Sequence, residues 1–163
     1  MYTLRDASPS DIPIIRDLVS QVWPQTYASI LTRGQINYML DQMYSETSLE
    51  QQMKEGARFI IAEKNGKPVG FASFQETSPG IFKLHKLYVL PSVQGKGAGH
   101  LLATHVIDYA KKAGATSLQL QVNRRNKARF FYEKLGFRID RQEDFDIGKG
   151  YKMEDFVMEL KLT

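Results

Sequence analysis

Apolar residues at Ile12, Ile15, Leu18, Val19 and Val22 recur at intervals of three and four, which predicts a helix. The preceding SPSD supplies its start, with Ser8 as N-cap, Pro9 at the first helical position and Asp11 in the first turn. Pro24 is expected to limit its length. A short strand, Tyr2 to Asp6, comes before it. Between Thr32 and Gly56 a looser helical pattern with Ile36, Met39, Leu40, Met43, Leu49 and Met53 reads as two short helices. The pattern then changes. Asn65-Gly66 separates two β-prone runs, Arg58 to Lys64 and Pro68 to Gln75, as a hairpin turn does. IFKLHKLYVL, 81–90, is apolar on both faces, as a central strand is, and Pro91 ends it. A helix follows from Gly97 to Ala113, with Gly114 as its C-terminal cap. SLQLQV, 117–122, alternates as a half-buried strand, and NKARFFYEKLGF carries a short helix from about Lys127 to Leu135, with Ala128, Phe131 and Leu135 as its packed stripe. Strands at Phe137 to Gln142 and Tyr151 to Leu162 complete the chain, joined by the acidic connection RQEDFDIGKG, 141–150.

This order, β, helices, three β, α, β, α, two β, predicts a single α/β (α+β) domain over 1–163 with a mixed, mostly antiparallel sheet. No repeat, low-complexity tract or linker interrupts it. A formal net charge of +4 suits nucleic acid or a polyanionic small molecule and does not choose between them. The basic residues are not interleaved with base-stacking aromatics, so nucleic acid is not expected as a partner. With no cysteine, disulfides and thiolate chemistry are excluded. The N-terminal MYTLRDASPSD has no signal-like apolar run, and no stretch approaches ~20 apolar residues, so a cytoplasmic protein without a membrane partner is expected. His85, His100 and His105 lack carboxylates at ligand spacing, and no metal site is predicted.

The chemistry concentrates in VLPSVQGKGAGHLL, 89–102, where Gly95, Gly97 and Gly99 stand at the start of a helix despite their low helix propensity. A strand, a glycine-rich loop and a helix start place unpaired backbone N–H groups at the positive end of a helix, an anion site. Gly99 is followed by His100-Leu101 rather than Lys-Ser/Thr, which excludes a Walker loop; G-x-G-x-G is not the dinucleotide fingerprint G-x-G-x-x-G. The remaining pattern, Gln94-x-x-Gly97-x-Gly99, resembles the acetyl-CoA signature of the GNAT superfamily of N-acetyltransferases. LYVLPSVQGKGAGHLL resembles that family's strand, loop and helix throughout, ARFFYEKLGF resembles its later helix and strand, and the element order matches over nearly the whole chain.

The resemblance implies a seven-stranded sheet with helices on both faces and acetyl-CoA or coenzyme A as the cofactor. It implies that the amides of Gln94, Gly95, Lys96, Gly97, Ala98, Gly99 and His100 bind the pyrophosphate, and that Leu87, Tyr88 and Val89 hydrogen-bond the pantetheine arm. The N–H of Val89 or Leu90 would polarise the thioester carbonyl. Tyr132 matches the tyrosine that protonates the departing thiolate, a role open to a phenol of pKa ~10. The base is left between His85, on the central strand, and Glu76, at the end of the preceding one. Asn123 and Asn126 are alternatives for an asparagine contacting the cofactor; among Arg124, Arg125, Lys127 and Arg129, one or two would meet the 3'-phosphate with Lys96, and Arg129 is placed with the cofactor residues.

QVWPQTYASIL, 21–31, resembles the same region of bacterial polyamine N-acetyltransferases, which puts Trp23, Thr26 and Tyr27 beside the acceptor. Glu143, Asp144 and Asp146 could attract a polycation or serve only solubility. The expected acceptor is a primary amine of a small molecule, a polyamine or an amino-acid-like metabolite. The alternatives are a protein N-terminus or lysine, and a non-catalytic CoA-binding regulator. Related proteins are often dimers, which makes a homodimer an arrangement to test.

Overall fold

Local sequence explains how the chain enters its first helix. A computed structural model describes residues Met1–Thr163. After strand β1 (Tyr2–Asp6), a 3-10 turn at Pro9–Asp11 leads into α1 (Ile12–Tyr27). The Asp11 carboxylate accepts the Ser8 backbone N–H at 2.9 Å and accepts from the two terminal Arg5 guanidinium nitrogens at 3.0 and 3.1 Å. These bonds hold the Asp11 pKa below the usual carboxylate range. Pro24 does not stop the helix. It sits inside α1, and the buried Val22, Trp23 and Tyr27 on either side of it offset the lost backbone hydrogen bond.

Two short helices follow as expected, α2 (Arg33–Tyr44) and α3 (Glu46–Lys54), each capped by a side-chain oxygen, of Thr32 and Ser45. The Asn65-Gly66 turn joins β2 (Arg58–Lys64) to β3 (Lys67–Ser78), both central residues having positive φ, 53° and 75°. β4 (Ile81–Val89), α4 (Ala98–Lys112), β5 (Ser117–Asn123), α5 (Ala128–Lys134), β6 (Arg138–Gly148) and β7 (Tyr151–Lys161) complete the order.

The strands form one mixed, mostly antiparallel sheet of seven in the order β1-β2-β3-β4-β5-β7-β6. By contact the chain falls into two compact units, Met1–Gln75 with Leu84–Asp108, and Glu76–Lys83 with Tyr109–Thr163. The first contains the antiparallel β1/β2 and β2/β3 ladders and a core that includes Ile15, Trp23, Leu49, Ile60, Phe71 and Leu102. The second contains the antiparallel β5/β7 and β6/β7 ladders and a core that includes Leu118, Leu120, Phe137 and Met158.

Two expectations change in the second unit. The acidic stretch assigned to a connection is strand: Glu143, Asp144 and Asp146 lie in β6, paired with β7 across a register shift between Ile139 and Arg141. The true turn is Gly148–Gly150, where Gly148, Lys149 and Gly150 all have positive φ. In α5 the buried residue is Tyr132, not the Ala128/Phe131/Leu135 stripe, because Tyr132 stacks edge-on against Phe137, centroids 5.7 Å apart, as the chain turns back through Gly136. No helix is long and apolar enough to cross a membrane.

Candidate active site

β4 delivers the chain to the glycine loop, and two hydrogen bonds fix its end. The Leu90 N–H donates to the Val69 carbonyl of β3 at 2.8 Å, and the Gln94 side-chain amide donates to the Val89 carbonyl at 3.1 Å. Leu90 is therefore not a donor for a thioester, a correction to the sequence expectation, and Gln94 serves the loop through its side chain by tying it to the strand it follows. Behind this point β3 approaches closely: a Cβ on Gly70 would lie 2.8 Å from the Tyr88 carbonyl oxygen.

The loop itself needs glycine for its dihedral angles. Gly95 and Gly97 have φ of 77° and 98°, in the left-handed region, while a Cβ on either would meet nothing within 4 Å. The first helical bond of α4 runs from the Leu101 N–H to the Gly97 carbonyl at 3.0 Å, so the amides of Ala98, Gly99 and His100 have no carbonyl one turn back to bond. Exposed Gly95, Lys96 and Gly97 precede them, but the Gln94 and Lys96 N–H groups donate to the Pro91 and Val93 carbonyls at 3.3 and 3.2 Å, which corrects the expectation that these two amides serve the pyrophosphate. An open cradle of amides at a helix start fits a phosphate group, and Lys96 adds a cation to it.

On the same unit, Trp23, Tyr27, Tyr44, Phe71 and Tyr88 pack as one aromatic cluster, with ring centroids 4.6 to 6.4 Å apart. The Tyr27 and Tyr88 hydroxyls hydrogen-bond at 3.0 Å, and the Lys86 ammonium lies 5.0 Å over the Tyr44 ring. Burial raises the Tyr44 pKa well above that of an ordinary phenol. Trp23 is 2% exposed, so its ring is core. The Thr26 hydroxyl donates to the Val22 carbonyl of its own helix. Of the three residues expected beside the acceptor, Tyr27 is the one whose polar atom meets β4. A separate cavity of about 410 Å³ between α1 and α2, lined by Asp17, Asp41 and Tyr44 among others, includes none of the predicted site residues.

His85 is exposed on β4, with Nε2 3.2 Å from the Gln75 Oε1. Gln75 was not singled out from sequence; its distance of ten residues from His85 gives no local signal, and only the β3/β4 hairpin makes them partners. Leu87 is half-buried on the same strand.

In the second unit, Glu76 accepts the Gly80 N–H at 3.2 Å and so holds the β3/β4 turn. Asn123 and Asn126 both shape the turn before α5, accepting the N–H groups of Arg125 and Ala128 at 2.9 Å. The Arg129 guanidinium stacks over Phe130 and Phe156, at 4.5 and 5.3 Å. Arg124 is engaged by Asp144 at 2.7 Å and by Glu154 at 3.7 Å, which sets it apart from the residues expected to meet the 3'-phosphate. A partly buried polar chain runs from the Lys83 ammonium to the Gln121 amide oxygen, and from the Gln121 nitrogen to the buried Asp155 at 3.2 Å. Burial lowers the Lys83 pKa and raises that of Asp155. No group of three or more His, Cys, Asp or Glu side chains is arranged to hold a metal.

Comparison with known proteins agrees with this architecture. Residues 27–160 match the model of the acetyltransferase (GNAT) domain. An uncharacterised N-acetyltransferase of Mycobacterium bovis is 28% identical over 156 residues, 94% of this chain and 99% of that protein. An uncharacterised N-acetyltransferase of Methanocaldococcus jannaschii is 34% identical over 100 residues, which are 57% of this chain but only 42% of that protein. The crystal structure of PaiA N-acetyltransferase from Thermoplasma acidophilum, in complex with coenzyme A, superposes with a TM-score of 0.82 at 26% identity and 99% coverage of both chains. A GNAT model matched over residues 27–160, together with a glycine loop built as an amide cradle, shows that the chain belongs to the GNAT acetyltransferase family.

Proposed function

We propose that this protein transfers the acetyl group of acetyl-CoA to a primary amine of a small molecule. The observation that carries the reading is the loop: positive-φ Gly95 and Gly97 lead into α4, whose first bond is Leu101 N–H to the Gly97 carbonyl, and the amides that open the helix before it are left for a pyrophosphate. Bound acetyl-CoA supplies an activated acyl group as a thioester. The backbone of Leu87, Tyr88 and Val89 binds the carrier arm, and the Val89 N–H stabilises charge gained by the thioester oxygen. As the amine nitrogen forms its bond to the carbonyl carbon, His85 takes the amine proton. When the C–S bond breaks, Tyr132 protonates the sulfur, the role that family resemblance gives it. Products are the N-acetylated amine and free coenzyme A.

The small-amine acceptor is supported by the likeness of residues 21–31 to polyamine N-acetyltransferases, and the cofactor by the coenzyme A held in the similar Thermoplasma PaiA structure. A screen of polyamines, amino acids and short peptides, read by thiol release from acetyl-CoA, tests the reading. Release with a polyamine or amino acid is expected. Release with peptides alone would replace the acceptor class, and binding of coenzyme A without turnover on any amine would sink the enzyme reading. Tyr132→Phe is expected to lower kcat while leaving coenzyme A affinity within about threefold, since a proton donor contributes ~10²–10⁴ to rate and little to binding.

A further inference from the structure

α3 ends at Lys54, and a helix end leaves carbonyls without intrahelical donors. The Glu55 carbonyl is one that is satisfied from outside, by the Gln75 side-chain nitrogen at 2.7 Å. Gly56 follows with φ 102°, and a Cβ there would lie 3.3 Å from that nitrogen, so the turn leaves room for the amide to seat. This single contact fixes the chemistry of the next. A backbone carbonyl only accepts, so the Gln75 nitrogen must face it and Oε1 must face away. Oε1 lies 3.2 Å from the His85 Nε2. An amide oxygen carries no hydrogen, so the hydrogen in that bond belongs to the imidazole. Nε2 is the protonated nitrogen, and in the neutral ring the lone pair is on Nδ1.

We propose that Gln75 is a positioning residue for acetyl transfer: anchored on the Glu55 carbonyl, it holds His85 as the Nε2–H tautomer and makes Nδ1 the atom that takes the amine proton. The role rests on the reading of His85 as the base. The relay is short. Glu55 orients Gln75, Gln75 orients the ring, and proton uptake at Nδ1 gives an imidazolium whose Nε2–H still donates to Oε1. No rearrangement of the ring is needed between turnovers.

The test uses full-length protein with 15N-labelled histidine, the His85 signals being identified among the three histidines by their loss in His85→Gln. Nitrogen chemical shifts at alkaline pH report which ring nitrogen carries the hydrogen. Gln75→Glu keeps an acceptor toward Nε2 and is expected to keep the Nε2–H form. Gln75→Lys offers only donors and is expected to move the hydrogen to Nδ1. Turnover should follow the tautomer: a fall of ~10²-fold or more in kcat for Gln75→Lys, against less than about tenfold for Gln75→Glu, with KM for acetyl-CoA within about threefold in both. Gln75→Arg replaces the lysine variant if that one does not fold. Wild-type His85 found as the Nδ1–H form, or equal turnover in the lysine and glutamate variants, would overturn the proposal. Should no amine be acetylated, the transferase reading fails separately and the spectrum decides alone: an Nε2–H ring that flips in Gln75→Lys upholds the anchor, and any other pattern removes it.

Discussion

Gly70→Ala tests the close approach of β3 to the end of β4. The added Cβ would lie 2.8 Å from the Tyr88 carbonyl oxygen, 3.2 Å from the Val89 Cγ2 and 3.3 Å from the Val89 Cα. Ordinary contact begins near 3.4 Å, so the strands must separate by about 0.6 Å against a backbone atom that has no rotamer to change. Overpacking of this kind costs about 1–3 kcal/mol. Removal of glycine freedom from the unfolded chain offsets about 0.4–1 kcal/mol of it. The mid-range net loss of about 1.3 kcal/mol corresponds to a Tm lowered by roughly 3–5 °C at this chain length. Thermal unfolding followed by circular dichroism measures it. The displaced atoms belong to Tyr88 and Val89, so KM for acetyl-CoA should rise several-fold while acceptor KM moves less. An alanine variant with wild-type Tm and wild-type KM for acetyl-CoA would show that the strand spacing is not constrained there, and the backbone reading of the site would lose its support.

Other consequences follow from the same geometry. Gly97→Ala places a side chain at φ 98° in open space, so stability should fall by only about 1–2 kcal/mol while calorimetric affinity for coenzyme A falls at least about tenfold, the value of 1.4 kcal/mol in binding. Asp11→Asn should lower stability at neutral pH by about 1 kcal/mol through the Ser8 and Arg5 contacts. Because the folded pKa of Asp11 is depressed, its contribution is present above the usual carboxylate value and lost as pH falls through the folded one, so urea midpoints of variant and wild type should converge in acid. Asp155 has the opposite sign. Burial raises its folded pKa, so its contribution is present in acid and lost as pH rises through that pKa. Asp155→Asn keeps the bond to Gln121 and should flatten that loss, with stability at neutral pH equal to or above wild type; a drop of more than about 2 kcal/mol there would mean the charge is net stabilising.

The elements most legible in the sequence are those set by local chemistry. Asn65-Gly66 fixed a turn because only positive φ closes that hairpin, and the Ser8 to Asp11 cap required no distant partner. The glycine loop was legible for the same reason, although its glycines answer to dihedral angle rather than to crowding by neighbouring atoms. What escaped was decided by tertiary contact. Pro24 reads as a stop, yet aromatic burial carries α1 through it. Helical phase favoured Phe131 as the buried residue of α5, but the return of the chain at Phe137 turns Tyr132 inward. Acidic composition hid a strand in β6, whose edge position and register shift suit it to solvent. Gln75 carries no motif at all; its meaning comes from a helix end twenty residues earlier in the chain.

The single tryptophan lies wholly within the unit formed by Met1–Gln75 and Leu84–Asp108. Its emission therefore gives a reporter confined to one half of the polypeptide, sealed from solvent and surrounded by tyrosines that can pass excitation to it. Far-ultraviolet dichroism, in contrast, averages over every helix and strand. Superimposable denaturation curves from the two signals would mean that both halves melt in one cooperative step, whereas an earlier fluorescence transition would reveal that the aromatic half loosens first.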